Sequence, residues 1–149
     1  MRRSFVAVVA ALLGLTFSVP VAQAVGPTLL FTVPGVVSVG DLGTFFLCTS
    51  TATTNQMVSV QFLDRTGNPG GNGSFDLPPN NTVMFGTRNP AGLLVDVDMA
   101  SPGIGKGSAQ ISSTSKKLIC SAFIADSTNA TLTFGTSLNV LAKQKQKGV

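Results

Sequence analysis

The sequence predicts an all-β fold, a single-domain antiparallel β-sandwich with one disulfide, and three observations predict it. The 149-residue chain is only 11% charged and holds 16 glycines, and it is rich in Thr, Ser, Val and Asn, residues that favour pleated strands and tight turns. Short apolar–polar alternations recur with turn signals about every 8–12 residues. No segment has the period of a long helix, and every acidic residue is aspartate, so exposed helices lack glutamate, one of their better formers. The arrangement expected is immunoglobulin-like or jelly-roll-like, with a closed barrel as the alternative.

Residues 1–24 are set aside first. Arg2 and Arg3 precede an apolar run over 5–19, and Ala22, Gln23 and Ala24 supply a small-residue cleavage site, the anatomy of a signal peptide. The run is short for a bilayer, which takes about 20 residues to span as a helix. The mature domain is then expected over 25–142, followed by a basic, disordered tail over 143–149.

Within the domain, 29–33 is the first strand, broken by Pro34 and Gly35 and resumed over 36–39 as an edge segment, where proline is tolerated. Residues 44–49 are apolar on both faces, which predicts a central strand. Over 57–64, Val58, Val60 and Phe62 alternate most cleanly with polar neighbours. The run RTGNPGGNGS over 65–74 reads as a long loop without regular structure. Strands follow at 75–77, 82–87 and 93–99, the last placing Asp96 and Asp98 on one side. Two more, at 109–112 and 118–125, flank a polar turn, and 131–134 and 137–141 close the fold.

The formal charge of +4 belongs to the ends of the chain. Without Arg2 and Arg3 it falls to +2, and the body over 25–142 holds five basic against six acidic residues. A folded nucleic-acid binder needs a basic face, often with aromatic stacking partners, so no nucleic-acid partner is expected. No later stretch has spanning length, and no stable membrane span is expected once the signal is cleaved. The expected location is secreted or periplasmic.

Cys48 and Cys120 are the only cysteines. Two inward-facing cysteines in an exported chain predict a disulfide, which in the chain-entropy model contributes roughly 4 kcal/mol for a loop of this size. Two buried thiols are the rival reading. A redox pair lacks both CxxC spacing and a histidine to lower a thiol pKa.

The chain has no His, Tyr, Trp or Glu. Ser-His-Asp and Cys-His catalysis are thereby ruled out within it, as is histidine-ligated zinc, and a non-enzyme is expected. The candidate ligand or metal residues are Asp64, Asn68, Asp76, Asp96 and Asp98. Calcium is the inorganic partner their oxygens suit, although each motif is incomplete. The run GGNGS over 70–74 begins like a calcium-roll repeat but places Phe75 where aspartate belongs. Read as a calcium-binding helix–loop–helix, Asp64, Thr66 and Asn68 fall at ligand positions, while Pro69 and Phe75 replace the turn glycine and the bidentate acid. Glycosylation sequons at Asn72, Asn80 and Asn129 sit in predicted loops.

The runs FFLCT over 45–49, PNNTVMFGT over 79–87 and KGSAQISSTSKKLICSAFIAD over 106–126 resemble a set of short bacterial secreted β-domain proteins of no assigned activity. The resemblance implies a bacterial exported β-domain and carries over no functional residue. The first functional expectation is a structural or protein-interaction module of the periplasm or cell surface, meeting a partner or itself through the edge over 29–39. The alternative is a small-ligand or glycan-binding module, calcium-assisted, built on the 65–76 loop and the Asp96/Asp98 face.

Overall fold

A computed structural model describes residues 26–101, 103–128 and 133–143. The expected signal peptide, all of the tail beyond Lys143, the Asn129 sequon and the start of the predicted 131–134 strand lie outside the described residues. Among those described there is no helix, and ten strands follow in order: β1 Thr28–Ser38, β2 Leu42–Ser50, β3 Gln56–Asp64, β4 Pro69–Leu77, β5 Thr82–Gly86, β6 Val97–Asp98, β7 Ile104–Ser113, β8 Leu118–Asp126, β9 Gly135–Leu138 and β10 Leu141–Ala142.

They form two five-stranded sheets, β10-β1-β7-β3-β4 and β6-β5-β2-β8-β9. All pairings are antiparallel except the two-residue contact of β5 with β6. The sheets pack face to face as a β-sandwich. From the first sheet Val33, Val36, Val58, Val60, Phe62 and Ile111 point inward, and from the second Phe46, Val83, Phe85, Leu118 and Ala122 meet them. Phe46 and Phe62 touch across the gap, their ring centroids 5.8 Å apart. Burial of these apolar side chains is the main favourable term holding such a fold together.

The two cysteines are disulfide-bonded. Cys48 on β2 stands directly opposite Cys120 on β8, with Cα atoms 4.2 Å apart. The bridge therefore staples neighbouring strands of one sheet, whereas the immunoglobulin bridge joins two sheets. It still ties positions 72 residues apart.

Four expectations are corrected. Pro34 and Gly35 do not end the first strand: β1 runs through them with a register irregularity between Pro34 and Val36, a bulge that accommodates the missing N–H. The segment over 65–74 is mostly strand, because β3 offers a hydrogen-bonding template along it, irregular only at its start, where the turn is followed by a register shift at Gly70. Glycine serves packing here: a Cβ on Gly73 would lie 2.6 Å from Val97 Cγ1 and 2.8 Å from Met99 Cγ, so the chain over 97–99 can cross β4 only because that side chain is absent. Conversely, the alternation over 93–99 does not make a strand. Only Val97 and Asp98 pair, and Leu94 is 92% exposed. Finally, the closing strands are shifted, with Gly135–Leu138 on β8 and Leu141–Ala142 on β1.

Candidate functional site

The candidate aspartates fall into separate places. Asp64 and Asn68 belong to the β3–β4 turn, where one carboxylate oxygen of Asp64 accepts hydrogen bonds from the Thr66 N–H at 2.7 Å, the Thr66 hydroxyl at 2.6 Å and the Asn68 N–H at 2.9 Å. The Asn68 amide donates in turn to the Thr66 hydroxyl. These bonds, the Thr66 hydroxyl first, hold the Asp64 carboxyl below its ordinary pKa of 3.8, because donors to a carboxylate favour its charged form. The three residues that mimic a calcium loop in sequence are here a self-contained turn.

Asp76 lies at the other end of the hairpin, opposite Met57, roughly 23 Å along the strand from Asp64, and accepts from the Asn55 amide. Asp96 and Asp98 sit on the other sheet's edge. Asp96 accepts from the Met84 N–H at 2.7 Å and returns its own N–H to the Met84 carbonyl, while Asp98 accepts from the Ala100 N–H. Among the described residues no three acidic or cysteine side chains come together as a metal site.

Two polar clusters had no distinguishing signal in the sequence. Gln56, fully buried, donates to the Ser50 hydroxyl and the Lys117 carbonyl and accepts from the Ser113 hydroxyl. Nothing separates it in sequence from the other glutamines. Asp126, also buried, accepts from the N–H and hydroxyl of Thr128 and from the Thr133 hydroxyl. Both clusters satisfy buried polar groups internally, as buried groups require.

The first sheet holds the longest edge strand among the described residues. Its β1 edge is largely taken. Ala142 and Leu141 pair with Phe31 and Thr32, the Lys143 N–H reaches the Leu30 carbonyl, Pro34 has no N–H to offer, and Gly35 is turned into a left-handed conformation at φ 82°. The Thr44 hydroxyl, reaching from the second sheet, accepts from the Val37 N–H at 2.9 Å and donates to the Val37 carbonyl at 2.8 Å. The opposite edge, β4, has no strand beyond it among the described residues, over nine residues. Asn72, one of the sequon residues, is on this strand and not in a loop.

No family model, curated protein or solved structure matches the chain. Fold and site together define a disulfide-bridged all-β sandwich with one long sheet edge left uncovered among the described residues. The disulfide itself belongs with an oxidising compartment. No helix among the described residues is long and apolar enough to cross a membrane.

Proposed function

We propose that the protein is an exported, non-catalytic β-sandwich of the bacterial periplasm or cell surface that assembles with a second copy of itself through strand β4. The observation that carries this reading is the contrast in edge length. β6, β9 and β10 span two, four and two residues, while the nine residues of β4 have no outer neighbour among the described residues. A long unpaired edge is a template for another strand, and natural proteins normally blunt such edges with charge or proline. β4 carries Pro69 at its start, Asp76 near its end and no charge between them. Antiparallel pairing about a two-fold axis at Gly73 sets Asn72 against Ser74 of the copy and Asp76 against Gly70, so no like charges meet. An isologous contact of this kind closes as a dimer. The absence of His, Glu, Tyr and Trp from the sequence supports the non-catalytic part of the reading.

Light scattering across a concentration series tests it. The wild-type chain is expected to reach dimer mass. Asn72→Lys/Ser74→Lys places lysines opposite lysines and is expected to leave a monomer, whereas Asn72→Lys/Ser74→Asp sets opposite charges face to face and is expected to restore the dimer. A wild-type chain that stays monomeric at millimolar concentration removes the proposal.

A further inference from the structure

A second surface lies on the outward face of the same sheet, sharing Asn72 and Ser74 with the edge and otherwise built from β3 and β7. Gln61 on β3 stands directly opposite Gln110 on β7 and Asn72 on β4. In the next row Ser59 stands opposite Ser112 and Ser74. The rows repeat about 7 Å apart along the strands and neighbours lie about 4.8 Å apart across them. These six side chains line a shallow groove of about 320 Å³.

Gln56 shows what this chain does with an amide it uses to hold its fold: all of it is buried, and both its ends are hydrogen-bonded. Gln61 and Gln110 are half-buried, yet among the described residues neither they, Asn72 nor the three serines bond through their side chains to another part of the protein. Their polar atoms reach the surface and stay open to a partner from outside: among the described residues the side-chain polar atoms buried without a hydrogen bond are Ser38 Oγ and Arg88 Nε, neither of them in this groove. The groove also has no charged residue in its lining.

We propose that this face binds a neutral, hydroxyl-rich chain, that is, an uncharged polysaccharide. Amides and serine hydroxyls both donate and accept, as sugar hydroxyls do, so a row of one can pair with a row of the other in either direction. An anionic polymer finds no cation in either row, and an apolar surface would leave the amides stranded. The groove lacks an aromatic platform, so recognition rests on hydrogen bonds along several rows and favours a polymer over a single sugar. The site is not the Asp-centred calcium face that the sequence brings to mind.

Affinity electrophoresis tests this in native gels containing neutral α-glucan, β-glucan, mannan, galactan or xylan, with alginate and pectate as anionic comparisons. At least one neutral polymer is expected to retard the wild-type chain. Gln61→Ala/Gln110→Ala is expected to weaken that retardation about tenfold, the equivalent of about 1.4 kcal/mol, at an unchanged thermal midpoint, and Leu94→Ala, on an exposed loop, to leave it unchanged. Retardation by no neutral polymer, retardation by the anionic gels alone, or a double variant retained as well as wild type each overturns the proposal. A double variant that instead loses dimer mass, with no retardation of the wild type, assigns the face to a second copy and overturns it equally. Because Gln61 and Gln110 lie inside the sheet, a loss or absence of retardation leaves the lysine test of the β4 edge untouched, whereas a loss of dimer mass in the double variant counts against that edge as well.

Discussion

The two long strands at the flanks of the first sheet, β1 and β4, are treated in opposite ways. β1 is apolar, long and potentially adhesive, and the fold spends a bulge, a proline, a two-residue strand and a threonine hydroxyl from the other sheet to close it. β4 is one-third glycine, and its only such devices, Pro69 and the register shift at Gly70, are confined to its first two residues. The difference teaches that an edge is closed by specific groups reaching its N–H and C=O, and not by its own composition. A proline-broken segment looks like the exposed edge in sequence, and it is the protected one.

The largest effect is expected from breaking the closed edge. Thr44→Val keeps the shape of the side chain and removes the hydroxyl that serves both backbone groups of Val37. Thr44 is fully buried, so water cannot readily replace it. Leaving a buried donor and an acceptor unsatisfied costs about 2–4 kcal/mol, a large share of a typical net stability of about 5–15 kcal/mol. Thr44→Ser retains the hydroxyl and is expected to recover most of that loss. Urea unfolding of the three proteins checks it. Equal midpoints for the valine and serine variants would mean the hydroxyl does not close the edge.

A smaller loss is expected when the open edge is crowded from within. Gly73→Ala puts a methyl group into space held by Val97 and Met99, an overpacking that typically costs about 1–3 kcal/mol. The strain falls on the crossing segment and not on the β3–β4 ladder, so faster amide hydrogen exchange is expected around Val97 and Met99 with little change along β3. Uniform loosening of both hairpin strands would show instead that β4 depends on its glycine for backbone conformation.

Much of this architecture is legible in sequence wherever a side chain must be buried. Val58, Val60, Phe62, Ala109 and Ile111 alternate with polar residues, Val83 and Phe85 share one face of their strand, and all are fully buried. Cys48 and Cys120 fall on inward positions and pair. β4 is hidden because its inward positions 71 and 73 are glycine, which leaves no apolar signal, and because its pairing comes from β3, not from its own propensity. The 93–99 run deceives in the other direction: its alternation is real, but no neighbouring strand is free to pair with more than Val97 and Asp98. The polar groove is partly legible. Ser59, Gln61, Gln110 and Ser112 read as outward residues of two strands distant in sequence, and only the strand order β7-β3-β4 sets them side by side.

The smallest expected effect concerns the turn that launches the open edge. Because its donors hold the Asp64 carboxyl below 3.8 in the folded chain, the charged form is favoured by folding. Above pH 3.8 the carboxylate is ionised both folded and unfolded, and its contribution is present in full. As pH falls from 3.8 through the lowered folded value, the folded chain must also take up the proton, and the contribution disappears. Asp64→Asn removes the charge and weakens the bonds to Thr66 and Asn68, so wild type is expected to exceed the variant in urea midpoint at pH 7, by a modest margin because the group faces solvent. At pH 2.5 that margin should shrink. A margin of the same size at both pH values would assign the effect to the shape of the turn and not to its charge, and β4 would then start from geometry alone.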